Sequence, residues 1–122
     1  MYQLFVEEHF DAAHYIRKYH GKCENLHGHR FKVVARLEAT KLDESGLAYD
    51  FAQLKRQLRE VIARFDHACL NDVSPFDKIE PSCENIAATI YNALQFNFSQ
   101  SAVKLASVEI GESPTSGATY SP

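Results

Sequence analysis

At 122 residues, with 45% apolar and 24% charged side chains, the chain has the size and balance of one globular domain spanning residues 1–122. A formal net charge of -3 argues against bulk electrostatic binding to nucleic acid. No apolar run approaches the ~20 residues of a membrane span, and three irregularly spaced cysteines do not make a disulfide framework. The N-terminal stretch lacks the basic and apolar regions of a signal peptide, so reduced thiols in a cytoplasmic protein are expected.

Leu4, Val6, Phe10, Ala12 and His14 occupy alternate positions, the pattern of a half-buried strand that Glu8 interrupts. A polar loop from Arg17 to Glu24 leads to a second strand. There Phe31, Val33, Ala35 and Leu37 share one side, and Arg30, Lys32, Arg36 and Glu38 share the other. Asp50 is positioned to cap a helix, with Gln53 completing a capping box and Tyr49 stapling onto Leu54. Phe51, Leu54, Leu58, Val61, Ile62 and Phe65 follow at helical spacing. Ser82 caps a second predicted helix whose buried stripe is Ile86, Ala87, Ile90 and Leu94. Val103 to Tyr120 reads as two strands around the turn Ser113-Pro114-Thr115-Ser116-Gly117. The predicted order is β-β-α-α-β-β, an α+β fold with both helices on one face of an antiparallel sheet.

The chemistry concentrates where the strands carry histidine. His27 and His29 point to one face, roughly 6–7 Å apart along an extended backbone, and share the parity of the apolar side. Taken alone, His-x-His is a weak signal. His14 at the far end of the neighbouring strand makes three imidazoles that antiparallel pairing can gather, a ligand set for catalytic zinc with one open position. The competing reading is a closed structural zinc site with Cys23 as fourth ligand. Cys23 can also serve as a thiolate base or nucleophile. Asp66-His67 offers a proton-exchanging pair, unless Asp66 merely ends a helix beside an exposed histidine. Glu112 continues the parity of Val108 and Ile110. It would then aim a carboxylate inward to pair with adjacent N–H donors, as on a 2-amino-4-oxo heterocycle, or it is a solvated acid at a strand end.

The segments Phe10-Asp11-Ala12-Ala13-His14, Cys23-Glu24-Asn25-Leu26-His27-Gly28-His29 and Tyr49-Asp50-Phe51 carry a further signal. So do Asp66-His67-Ala68-Cys69-Leu70-Asn71, Pro81-Ser82-Cys83-Glu84-Asn85 and Glu112-Ser113-Pro114-Thr115-Ser116-Gly117. Together they resemble the 6-pyruvoyltetrahydropterin synthase / 6-carboxytetrahydropterin synthase family over essentially the whole chain. The resemblance implies the tunnelling fold (T-fold), whose subunits join their sheets into a barrel, as a homohexamer of two stacked trimers with active sites between subunits. It implies the substrate 7,8-dihydroneopterin triphosphate and a Zn2+ held by His14, His27 and His29. By the same resemblance Cys23 removes a carbon-bound proton and His67, supported by Asp66, relays one. Glu112 anchors the pterin ring, with Ser82, Cys83 and Thr115 around it.

The expected activity is a lyase forming 6-carboxy-5,6,7,8-tetrahydropterin with release of acetaldehyde and triphosphate, on the route to queuosine and other deazapurines. Two departures matter. Glu24 follows Cys23 directly, resembling members that use a glutamate in this neighbourhood to make 6-hydroxymethyl-7,8-dihydropterin, an aldolase-like step toward folate. Pro114 stands in a closing loop where members vary. Formation of 6-pyruvoyltetrahydropterin uses the same residues, and a structural-zinc binding module is the non-enzymatic alternative. Basic side chains between Arg17 and Lys32 are candidates to meet the triphosphate.

Overall fold

Two long alternating strands decide which way the sheet faces. The computed structural model describes residues 1–21 and 24–122, in which β1 spans Tyr2–His14 and β2 spans His27–Ala39. They pair antiparallel along their whole length, Tyr2 opposite Ala39 and His14 opposite His27. Then come α1 (Phe51–Ile62), a two-residue strand β3 (Ala68–Cys69), α2 (Cys83–Leu94), β4 (Lys104–Ser113) and β5 (Ser116–Tyr120). The sheet order is β3-β1-β2-β4-β5. Every pairing is antiparallel except β3, which lies parallel to the end of β1. The expected α+β order is therefore present, with β3 as an addition that is too short to leave a periodic signal.

One core lies between the sheet and the two helices. Val6, Phe10, Phe31, Val33 and Leu37 face Leu54, Leu58, Ile86, Ile90 and Leu94, all of them buried. Each fully buried Leu or Phe contributes roughly 1.5–3 kcal/mol. Glu8 has the inward parity yet is tolerated, because Arg59 of α1 reaches it at 2.9 Å. Leu70 and Phe76 are buried as completely as any helix residue. The Phe76 ring packs 5.5 Å from Phe65, which stands 6.1 Å from Phe10. Three side chains thus fasten the stretch between α1 and α2 to the core, where the sequence pattern had offered only Phe65.

The helix starts follow the sequence with local differences. Asp50 caps α1, but its carboxylate accepts from the N–H of Ala52 at 2.9 Å, and no reciprocal Gln53 bond forms among the described residues. Tyr49 packs against the core, its ring 5.3 Å from Phe98 and its hydroxyl donating to Gln57. Phe51 is exposed, so the buried stripe of α1 is Leu54, Leu58 and Ile62. Ser82 caps α2 by accepting from the N–H of Asn85 at 3.2 Å.

β4 carries the irregularity that matters most. The β4–β5 register shifts between Gly111 and Ser113, leaving Glu112 as the extra residue of a bulge. Bulges re-aim side chains, and this one sets the direction of the Glu112 carboxylate. Across from it, a Cβ on Gly117 would fall 2.4 Å from the carbonyl oxygen of Ile110, so only glycine lets β5 approach so closely.

Candidate metal centre and its pocket

Pairing His14 with His27 and Ala12 with His29 puts three imidazoles on one face of two adjacent strands. Ring centroids lie 4.6 Å (His14–His27), 4.7 Å (His27–His29) and 5.2 Å (His14–His29) apart. A nitrogen from each ring lies within 4.8 Å of the others. Phe31, wholly buried, forms the floor, edge-on to His14 at 5.3 Å and to His29 at 5.4 Å.

Backbone carbonyls set the tautomers. His14 Nδ1–H donates to the Pro81 carbonyl at 2.8 Å, and His27 Nδ1–H donates to that of Asn25 at 2.6 Å. A carbonyl can only accept, so in both neutral rings the proton sits on Nδ1 and Nε2 keeps its lone pair. The Nε2 atoms of His14 and His29 are buried with no hydrogen-bond partner among the described residues. Unpartnered buried acceptors are uncommon in a folded protein. Lone pairs converging at this spacing fit a tetrahedral divalent ion with a place left over. Burial pushes the His14 pKa below its usual value; His27 and His29 add to this, while the Pro81 carbonyl and Glu112 oppose it. The neutral ring is the ligating form.

Beside the imidazoles opens a pocket of about 380 Å³ lined by His14, Ile16, Tyr19, Ser82, Cys83, Glu84, Glu112, Ser116 and Gly117. Glu112 Oε2 lies 3.7 Å from His29 Nε2 and accepts from the Cys83 thiol at 3.6 Å. Of the predicted ring-binding residues, Glu112, Ser82 and Cys83 therefore share this wall. Thr115 is exposed and lines an adjoining hollow with Lys32 and Glu109, which shares Ser116 and Gly117 with this pocket. Cys23 lies outside the described residues. Glu24 is exposed, its carboxylate 3.7 Å from His20.

Asp66 and His67 stand elsewhere. His67 is held at φ 57°, a conformation uncommon outside glycine, by its N–H bond to the Asp11 carbonyl at 2.6 Å. Asp66 accepts from the Asp11 N–H at 2.9 Å, and its second oxygen lies 3.1 Å from His67 Nδ1. The Asp11 N–H holds the Asp66 carboxyl below the usual carboxylate range; burial opposes this, and His67 reinforces it. His67 borders a hollow of about 510 Å³ with Asp11, Ala13, Gly28 and Arg30, and His29 reaches its rim. This hollow and the first pocket have no lining residue in common. Within one chain His67 therefore lies outside the pocket that Glu112 walls, and of the three imidazoles His29 borders its hollow.

Asn71 was not singled out by sequence reasoning, although it closes the Asp66–Asn71 segment. Its buried amide accepts from the N–H of Tyr15 at 3.0 Å and donates to the Tyr15 carbonyl at 2.9 Å, fixing the backbone next to His14. Two of the basic candidates for phosphate are occupied: Arg17 in loop carbonyls and Glu80, Lys32 in an ion pair with Glu109 at 3.1 Å. Among the described residues no helix is long and apolar enough to cross a membrane.

A family model described as 6-pyruvoyl tetrahydropterin synthase matches residues 3–122. The 6-carboxy-5,6,7,8-tetrahydropterin synthase of Bacillus subtilis is 32% identical over 128 residues, spanning 99% of this chain and 86% of its own. That of Synechocystis is 34% identical over 125 residues, spanning 98% and 93%. The structure of Caenorhabditis elegans 6-pyruvoyl tetrahydropterin synthase matches with a TM-score of 0.88 at 28% identity, covering 99% of this chain and 95% of that one.

Proposed function

The chain belongs to the 6-pyruvoyl tetrahydropterin synthase family, and from that premise we propose a zinc-dependent lyase that converts 7,8-dihydroneopterin triphosphate to 6-carboxy-5,6,7,8-tetrahydropterin, acetaldehyde and triphosphate. The observation that carries the reading is the pair of buried Nε2 atoms, on His14 and His29, without a hydrogen bond among the described residues, beside a pocket walled by Glu112. His14, His27 and His29 would hold the ion, which supplies Lewis acidity toward the hydroxylated side chain of the substrate. Glu112 accepts the paired N–H groups of the pterin ring, giving up its contact with the Cys83 thiol. Cys23 takes the carbon-bound proton, and Asp66 steadies the His67 ring that returns one. The 6-carboxy product is preferred because the Bacillus subtilis and Synechocystis relatives bear that name.

Since the hollow of His67 and the pocket of Glu112 have no lining residue in common, we assign the histidine's proton transfer to the site of an adjoining subunit. The open edge of β1 supports assembly: β3 pairs only with Ala12 and Ala13, and Met1, Tyr2 and Phe5 stand exposed at the other end. Unpaired edges of this length are normally covered, and closing sheets into a barrel between subunits covers them. A homohexamer in a reducing cytoplasm, serving deazapurine synthesis, is the corresponding biological setting.

Incubation with 7,8-dihydroneopterin triphosphate and product identification by mass tests the assignment. Acetaldehyde together with the 6-carboxy product supports it. A 6-pyruvoyl product, the activity named for the Caenorhabditis elegans neighbour, would transfer the assignment to that reaction. 6-Hydroxymethyl-7,8-dihydropterin alone would refute it in favour of the aldolase-like step.

A further inference from the structure

We propose that Arg17 and Glu80 are positioning residues for the metal centre: they hold the Pro81 carbonyl against His14, so that His14 presents Nε2 as a ligand. The inference rests on the zinc reading only for its second readout. His14 itself ends β1, but the atom that selects its tautomer belongs to the residue before the cap of α2. That residue is a proline, with no N–H to anchor it, so its place depends on its flanks.

Both flanks are tied. Arg17 donates through one terminal nitrogen to the Ile79 carbonyl at 3.3 Å and to Glu80 Oε1 at 3.2 Å. Through the other it donates to the carbonyls of Asn71 at 3.2 Å and Phe76 at 2.7 Å. The carboxylate of Glu80 answers by accepting the backbone N–H of Arg17 at 2.6 Å and of Lys18 at 3.3 Å. On the far side Asn85 donates its side-chain amide to the Glu80 carbonyl at 2.9 Å. The chain from 71 to 80 is thereby clamped to Arg17 and Lys18, the third and fourth residues after His14. With four of its five N–H directions used, the guanidinium is spent on protein acceptors and is poorly placed to serve a phosphate.

The test uses full-length Arg17→Met and Glu80→Gln, with Arg64→Met as control. Arg64 donates to the Ser74 carbonyl in the same loop, away from Pro81, and so reports general loosening. Long-range proton–nitrogen spectra of the metal-free proteins at about pH 8, above the ordinary imidazole range, read the His14 tautomer. Zinc dissociation constants come from competition with a chromogenic chelator, and circular dichroism verifies folding.

Arg17→Met and Glu80→Gln are expected to shift His14 toward the Nε2–H tautomer and to weaken zinc binding about tenfold, the effect usual for an outer partner of a ligand. Arg64→Met should leave both unchanged. If Arg17→Met does not fold, the isosteric Glu80→Gln decides. An unaltered tautomer and affinity in the folded variants would overturn the proposal, as would an equal loss in Arg64→Met. Should the parent protein bind no zinc, the zinc reading fails, and the tautomer still decides the role of the clamp.

Discussion

Assigning His67 to the site of an adjoining subunit makes a quantitative prediction about mixtures of inactive chains. On the proposed reading, His27→Ala removes one of three metal ligands, and His67→Ala removes a general acid–base whose loss costs about 10²–10⁴ in rate. Each variant alone should run at about 1% of the parent or less by that measure. If every site takes its metal from one chain and its proton relay from a neighbour, a site is intact only when both contributors happen to be sound. In an oligomer reassembled from equal amounts, each contributor is sound about half the time, so about a quarter of the sites recover. At nine parts to one the recovery drops to about a tenth. The assay is turnover of 7,8-dihydroneopterin triphosphate after joint denaturation and refolding, with coexpressed, doubly tagged oligomers as a second preparation. If metal and relay came from the same chain, no mixed site could hold both, and activity would stay at the level of the single variants at every ratio. That flat line would refute the reasoning.

Cys23→Ala should keep its circular dichroism spectrum and its zinc while turnover falls by about 10²–10⁴, as for a lost proton-transfer group; loss of metal or fold would instead favour a closed structural site. Gly117→Ala forces a methyl to within 2.4 Å of the Ile110 carbonyl and should cost about 1–3 kcal/mol, measured as a lower urea midpoint. A parent-like midpoint would show that β5 yields freely. The acid limb of stability should flatten in Glu109→Gln. The Lys32 ammonium foremost, then Arg36, hold the Glu109 carboxyl below its usual range against the pull of burial. A folded value below the unfolded one means the contribution is complete above the unfolded value and vanishes as pH falls through the folded one. Urea midpoints taken from about pH 7 down to pH 3 should therefore fall less steeply in the variant.

What the sequence made legible was whatever repeats along the chain. Alternation in β1 and β2 forecast that His14, His27 and His29 share the apolar parity, and the residue pairing agrees. Asp50 and Ser82 announced their helices because capping is a local hydrogen bond between neighbours. Contacts between residues far apart in the chain left no such trace. Neither the Asn71 amide on Tyr15 nor the Pro81 carbonyl on His14 repeats with any period, and each joins positions more than fifty residues apart. Leu70 and Phe76 are buried from within a stretch rich in turn formers, where no period-2 or helical stripe exposes them to inspection. Parity put Glu112 on the side of Val108 and Ile110, whereas in the structure it is the extra residue of a bulge, a feature that parity does not contain. Thr115 sits beyond that bulge, so membership of the same turn did not carry it into the same pocket.

Gly28 shows how one short motif serves both faces. Between two inward imidazoles its position points outward, into the hollow where His67 stands. A Cβ there would meet only the Ala12 carbonyl at 3.8 Å, an ordinary contact, and its φ is not in the left-handed region. Backbone sterics therefore do not demand glycine at this position. What the missing side chain does is leave space beside His67, Asp11 and Arg30, on the face from which an adjoining subunit would be served. The His-Gly-His triplet thus has two separable consequences, set by the strand's period of two. Odd positions bring two imidazoles together beside His14 and Phe31, and the even position borders the hollow in which His67 stands.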